Sequence, residues 1–158
     1  MEGLFMKEVY KELSEDVLDE EKAIEETLER LSEIRTKFDP QKKDYLVEPA
    51  MGTYLMNFYN GVENILKRIA KGYYLTMPKG ENWHRELLAL SSNPPLGKIA
   101  VFNHEIVERL HIYKNFRHRF ISGYGFQLKG EKMMELANNI DQLWVDIKKA
   151  IFDFLDKL

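Results

Sequence analysis

At 158 residues, with 44% apolar and 31% charged residues, the chain has the size and composition of one globular domain. It contains no cysteine, which excludes disulfides, thiolate nucleophiles and cysteine-bound zinc, and no run of about 18 uncharged apolar residues that would predict a membrane span. Its net charge of −3 disfavours nucleic-acid binding if the charge is spread evenly, because phosphate affinity rests on Lys and Arg.

Four long amphipathic helices and one short helix are predicted, because apolar residues recur at intervals of three, four and seven. Pro40 follows the end of the first helix, and Gly72 is placed to cap the second. No segment alternates with period two for long enough to predict a strand. The predicted helices span about residues 4–38, 49–70, 83–90, 99–122 and 131–158.

This order of elements predicts an all-α fold, an antiparallel, up-and-down bundle of four long helices and a short one. A single domain is expected over residues 1–158, with residues 1–39 as its long N-terminal helix. The first dozen residues lack the apolar core of a secretory signal, so the expected location is the cytoplasm. A bundle rich in aromatic residues is also expected to bury a face in a partner, which favours a dimer.

The charge is distributed unevenly along the chain. Residues 1–39 hold 13 acidic and 6 basic side chains. Residues 109–130 hold no Asp or Glu, and their basic residues are Arg109, Lys114, Arg117, Arg119 and Lys129. A local positive field can therefore form on an acidic protein.

Several classes of catalytic site find no support in the sequence. The GxSxG pattern of a serine nucleophile and the glycine-rich loops that hold nucleotide phosphates are missing. His104, Glu108 and His111 share one helix face, but zinc needs three or four converging ligands and no HExxH motif or second ligand cluster is present. A solvated polar face without a metal is therefore the expectation.

The stretch FRHRFISGYG, residues 116–125, collects groups suited to a phosphodiester. On a helix, Lys114, Arg117 and Tyr124 share one face, whereas Lys114, His118 and Ser122 share a neighbouring one. An arginine fork can hold phosphate oxygens, and a histidine can carry a proton near neutral pH. The alternative is a charged helix end in which basic residues complement the helix dipole and glycines cap it.

Two stretches together resemble the HepT-like branch of the HEPN superfamily: GVENILKRIAKGYYLTMPKGENWHRELL at 61–88 and YKNFRHRFISGYGFQLKGEKM at 113–133. The resemblance covers about residues 45–158. It implies a helical bundle that dimerises through helices bearing an Arg-x4-6-His motif and cuts RNA without a metal or cofactor, using the RNA's own 2′-hydroxyl. It also implies a minimal nucleotidyltransferase as the antitoxin, which adds AMP to the tyrosine of an Arg-x4-His-x-Tyr motif.

Carried over residue by residue, the motif arginine is Arg117 and the modified tyrosine is Tyr124, but the histidine position holds Ser122. A serine is a poor base at neutral pH, so proton transfer would lose roughly 10² to 10⁴-fold. Three explanations stay open. His118 takes over the proton transfer; the chain is a natural, weakened relative retained for binding; or it is a variant made to express a harmless toxin.

Other residues of the matched stretches also have two interpretations each. Trp83 and His84 either brace the loop, through packing and a backbone hydrogen bond, or take part in the cleft. Tyr124 is either exposed to an AMP-transferring partner or buried against the bundle. The basic residues expected to bind RNA, besides the motif arginine, are Arg109, Lys114 and Arg119.

The sequence therefore predicts a homodimeric HEPN ribonuclease toxin with an RNA cleft around Arg117, weakened or inactive because Ser122 replaces the histidine. The alternative is a non-catalytic HEPN subunit that binds a minimal nucleotidyltransferase. Both predict the same helical fold.

Overall fold

The computed structural model describes residues 8–124 and 129–158, with Tyr124 described in its backbone only. Within these residues there are five helices and no strand, which confirms the all-α class and the prediction of four long helices and a short one. No helix in this part of the chain is long and apolar enough to cross a membrane. The helices are α1 (Lys11–Arg35), α2 (Val47–Ile69), α3 (Trp83–Ser92), α4 (His104–Arg119) and α5 (Gly130–Asp156).

The helix α2 is the centre of the bundle and packs against each of the other four helices. One hydrophobic core draws buried side chains from all five helices, for example Val17, Phe58, Leu88, Leu110 and Ile147. The buried residues of each long helix follow the helical period, so burial of these apolar faces is the main driving force for assembly. The antiparallel order of the helices stays a prediction.

The predicted cap at Gly72 is wrong. The chain continues from α2 into a wide π-helical turn, Ala70–Tyr74, and ends at Leu75, whose φ of 58° places it in the left-handed region. This turn buries Tyr73 and Tyr74, whose hydroxyls bind the backbone of Ile99: its N–H donates to Tyr73 over 3.0 Å, and Tyr74 donates to its carbonyl over 2.7 Å. Two buried aromatic anchors outweigh the local preference of a glycine for a helix end.

The helix α4 begins at His104, and the predicted start near residue 99 is wrong. Asn103 is the cap, because its Oδ1 accepts a hydrogen bond from the N–H of Ile106 over 2.9 Å. Before the cap, the N–H groups of Val101 and Phe102 both donate to the carbonyl of Ser91. These bonds hold the connection against the end of α3 and place the start of α4 beside it.

The close approach of α1 and α2 depends on a glycine. A Cβ atom added at Gly61 would overlap Cγ1 of Ile24, which is fully buried. Only a residue without a side chain leaves room for Ile24 in this interface.

Gly61→Ala is expected to destabilise the protein, because overpacking costs about 1–3 kcal/mol. The higher helix propensity of alanine offsets up to about 1 kcal/mol of this cost. Gly72→Ala is the matched control, since its added carbon would lie 3.5 Å from Leu13, an ordinary contact. Thermal unfolding followed by circular dichroism should show a lower Tm for Gly61→Ala and an unchanged or higher Tm for Gly72→Ala. Equal Tm values for Gly61→Ala and the wild type would contradict the tight packing.

A carboxyl group lies on the apolar face of α1. Glu21 is buried, and burial raises its pKa, while the charge of Lys148 on α5 opposes part of the rise. The folded state therefore holds this proton more tightly than the unfolded chain. The stability that this proton contributes is fully present below the unfolded pKa and is lost as the pH rises through the folded pKa.

Glu21→Gln is therefore expected to stabilise the protein at about pH 7 and to change little at about pH 4. The gain is up to about 1 kcal/mol, since Lys148 and solvent screening reduce the cost of burial. Urea unfolding at both pH values measures the difference, with Glu29→Gln at an exposed site of the same helix as control. A larger gain in acid than at neutral pH would contradict the raised pKa.

Candidate functional site

Charged and polar side chains meet where α2, α3 and α4 come together. Arg117, in the last turn of α4, is half-buried, and its Nε donates a hydrogen bond to Oδ1 of Asn60 on α2. Its guanidinium forms no ion pair with any carboxylate of the described residues. The terminal nitrogens of Arg117 can therefore bind an anion that approaches this junction.

A buried carboxylate lies one turn further along α2. Glu63 is 3% exposed, and its Oε2 lies 2.6 Å from Nδ1 of His84 in the first turn of α3. The rings of His84 and Trp83 are in contact, with centroids 3.6 Å apart and an interplanar angle of 30°. Nζ of Lys67 lies 4.6 Å from the centroid of the Trp83 ring. Trp83 packs against the core as expected, whereas the partner of His84 is a buried side chain rather than a backbone group.

Positively charged side chains from α3 and α4 lie near the groups that interact with Glu63. Burial lowers the pKa of Lys114 on α4, the charge of Arg85 on α3 lowers it further, and Glu63 raises it. Burial raises the pKa of the Tyr59 phenol, as does Glu63, whereas the charge of Arg117 opposes the rise. Because these groups act on one another across three helices, the cations and Glu63 form one cluster. Its cations outnumber its carboxylates, so the junction favours a polyanion.

Arg109 and Arg119, both expected to bind RNA, lie on the side of α4 that faces α5. Nη1 of Arg109 lies 2.6 Å from Oδ2 of Asp146, and the hydrogen bond from Arg109 lowers the pKa of Asp146. Arg119 lines a groove of about 440 Å³ between α4 and α5, together with Lys129 and Lys132. Of the predicted RNA-binding residues, only Lys114 therefore joins Arg117 at the three-helix junction.

The position of the family histidine lies in a π-helical turn, Phe120–Tyr124, which follows α4. Ser122 is exposed, and its hydroxyl donates to the carbonyl of His118 over 2.8 Å. His118 is also exposed. Gly123, at φ 88°, turns the chain out of the helix. The side chain of Tyr124 and residues 125–128 lie outside the described residues, so the expected exposure of the phenol stays a prediction.

The face considered for a metal carries one half-buried histidine. Burial lowers the pKa of His111, the charges of Lys114 and Arg85 lower it further, and Glu108 opposes them. His104 is exposed at the start of α4. The described residues contain no group of three or more His, Cys, Asp or Glu side chains placed to hold a metal ion.

Sequence reasoning missed Asn60 and Glu63. Both lie on α2, three residues apart, beside the apolar residues Phe58 and Val62 that point into the core. A polar pair at helical spacing within an otherwise apolar segment was the available signal. Such a pair is also found on the solvated edge of many helices, so its spacing alone does not identify a buried site.

The geometry defines an all-helical bundle with a cation-rich junction around a motif arginine. A family model described as HepT-like protein matches residues 50–158, which is more than half of the chain. The chain therefore belongs to the HepT-like family, a HEPN-type family. The matched region contains most of α2 and all of α3, α4 and α5, hence every residue of the junction. No curated protein and no solved structure gives a significant match.

Proposed function

We propose that the protein is a HEPN ribonuclease toxin of a prokaryotic toxin-antitoxin pair, which cleaves RNA without a metal and is weakened by Ser122. The observation that carries this proposal is the Arg117 guanidinium, fixed by Asn60 and without a carboxylate partner among the described residues. A phosphate bound there would meet two terminal nitrogens at a defined orientation. Membership of the HepT-like family supports the toxin-antitoxin context.

The charge of the junction supports RNA as the ligand. Arg117, Lys114 and Arg85 can neutralise successive phosphates, although the whole chain is acidic. In the cleavage step, Arg117 would stabilise the negative charge that develops on the phosphorus oxygens. Ser122 cannot supply the proton transfer that the family assigns to its position, since its hydroxyl is a poor base and already donates to a carbonyl.

A homodimer is part of the proposal, with the two copies of α4 and the turn after it facing a shared cleft. Ile121, on that turn, leaves 54% of its surface exposed. A large apolar side chain exposed on the motif-bearing segment favours contact with a second protein surface. Two copies would bring a second Arg117 to the cleft and double its positive charge.

Ser122→His is expected to raise RNA cleavage by roughly 10² to 10⁴-fold, since it restores a group able to move protons near neutral pH. The site tolerates the change because Ser122 is exposed. Cleavage of a labelled single-stranded RNA in the presence of a chelator measures the gain. Arg117→Ala in the Ser122→His background should abolish it.

Ser122→Ala is the matched control, since it removes the hydroxyl without adding a base and should leave cleavage at the wild-type level. Arg117→Lys tests the planar fork, because lysine keeps the charge and loses bidentate binding. If neither the wild type nor a Ser122→His variant that binds RNA cleaves it, the ribonuclease proposal is overturned.

The second proposed feature is modification of Tyr124 by a minimal nucleotidyltransferase acting as the antitoxin. Incubation with a cognate nucleotidyltransferase and ATP should add the mass of AMP to the peptide that contains Tyr124. Tyr124→Phe should remove the mass shift. Tyr45→Phe, which changes an exposed tyrosine distant in sequence from Tyr124, should retain it. A shift that survives Tyr124→Phe contradicts the assignment.

A non-catalytic HEPN subunit that binds the nucleotidyltransferase is the alternative function. The hydrogen bond from Ser122 to the His118 carbonyl favours it, because the position is then occupied by a local structural contact. The two functions separate on the Ser122→His variant: only a ribonuclease gains cleavage.

A further inference from the structure

We propose that His84, held by Glu63, is the residue that exchanges protons with the substrate at the Arg117 site, in place of the missing motif histidine. This inference rests on the proposed ribonuclease function. It names the residue responsible for the residual ribonuclease activity of this chain. It concerns a side chain on α3, outside the Arg-x4-6-His motif.

The position of His84 relative to Arg117 follows from their partners on α2. Arg117 binds Asn60, and His84 binds Glu63. Residues three apart on a helix have Cβ atoms about 5–6 Å apart on one face. The guanidinium and the imidazole therefore bind side chains on the same turn of α2, and we infer that one phosphodiester can reach both.

The contacts of the His84 ring leave one nitrogen for chemistry. Nδ1 of His84 lies 2.6 Å from Oε2 of Glu63, and since a carboxylate can only accept, the proposal places the hydrogen of the ring on Nδ1. In that tautomer Nε2 bears the lone pair that accepts a proton. The Trp83 ring lies against the imidazole at an interplanar angle of 30° and restricts its rotation. A carboxylate that orients a histidine in this way is the arrangement of a general base and its positioning residue.

Access and charge agree with this role. The His84 side chain keeps 28% of its surface exposed, while that of Glu63 keeps 4%, so the ring reaches solvent and its partner does not. Positive charges lie near the pair on all three helices: Lys67 lies over the Trp83 ring, Arg85 follows His84 in the chain, and the charges of Lys114 and Glu63 act on each other. These cations would bring the RNA backbone to the imidazole.

In the proposed step, Nε2 of His84 accepts the proton of the RNA 2′-hydroxyl while that oxygen attacks the adjacent phosphorus. The bond between phosphorus and the 5′-oxygen breaks, and the departing oxygen takes a proton from water. The protonated imidazole then returns its proton to the hydroxide so formed. The products are a 2′,3′-cyclic phosphate and a 5′-hydroxyl end, with Arg117 stabilising the charge on the pentavalent phosphorus.

His118 is the competing candidate. It lies one position after Arg117 and is exposed, and its backbone carbonyl accepts the hydrogen bond from Ser122. No carboxylate of the described residues orients its ring. An oriented imidazole is the better general base because its geometry is set before the substrate binds.

The test measures cleavage of a single-stranded RNA by the full chain in the presence of a chelator. His84→Ala should lower the rate by at least about 100-fold and leave binding of a 2′-O-methyl RNA unchanged. Free imidazole added to His84→Ala should restore part of the rate, which a purely structural role would not allow. His104→Ala removes an exposed histidine and serves as the control.

Two further measurements keep the test valid if His84→Ala folds poorly. Glu63→Gln should lower the rate less than His84→Ala does. In the wild type, ¹⁵N chemical shifts of the His84 ring should show the hydrogen on Nδ1, independently of RNA. A hydrogen on Nε2 alone would overturn the proposal.

The results of these experiments distinguish a failure of the His84 proposal from a failure of the proposed ribonuclease function. If Ser122→His cleaves RNA but the wild type shows no cleavage, or if His118→Ala rather than His84→Ala removes it, the role of His84 is wrong and the ribonuclease function stands. If neither the wild type nor Ser122→His cleaves RNA, the function itself fails.

Discussion

A carboxylate buried in a helical bundle is stable only when donors and positive charges surround it, and the site of this protein is organised around such a group. Glu63 lies on the central helix α2, and its burial costs several kcal/mol unless it is satisfied. His84 forms a hydrogen bond with Glu63, and Lys114 supplies positive charge near it. One buried group on α2 therefore interacts with side chains on both α3 and α4.

The same constraint explains why the basic residues of α4 divide into two sets. Arg117 and Lys114 face α2 and the Glu63 cluster, whereas Arg109 binds Asp146 on α5 and Arg119 lines the groove on that side. In the sequence, the basic residues of α4 cannot be divided into these two sets. Their spacing shows which residues share a helix face, but it does not show which neighbouring helix that face packs against. Only the first set combines a phosphate-binding fork with a nearby imidazole.

Much of the fold follows from the sequence, since apolar periodicity identified four long helices and a short one. The local errors have physical causes. The sequence predicts a cap at Gly72, but burial of Tyr73 and Tyr74 continues the helix through it as a π turn. Motif reasoning found Arg117 because the motif lies on one helix. It could not find the pair of Glu63 and His84, which lie 21 residues apart and meet only when α3 folds onto α2.

The central claim is that RNA binds at the junction of α2, α3 and α4, with a phosphate on Arg117 and the attacking oxygen at His84. A crystal structure with a 2′-O-methyl RNA, which binds but cannot react, tests it most directly. The account predicts a phosphate oxygen on the terminal nitrogens of Arg117 and the 2′-oxygen beside Nε2 of His84. RNA bound instead in the groove lined by Arg119, Lys129 and Lys132, with the junction empty, would contradict it.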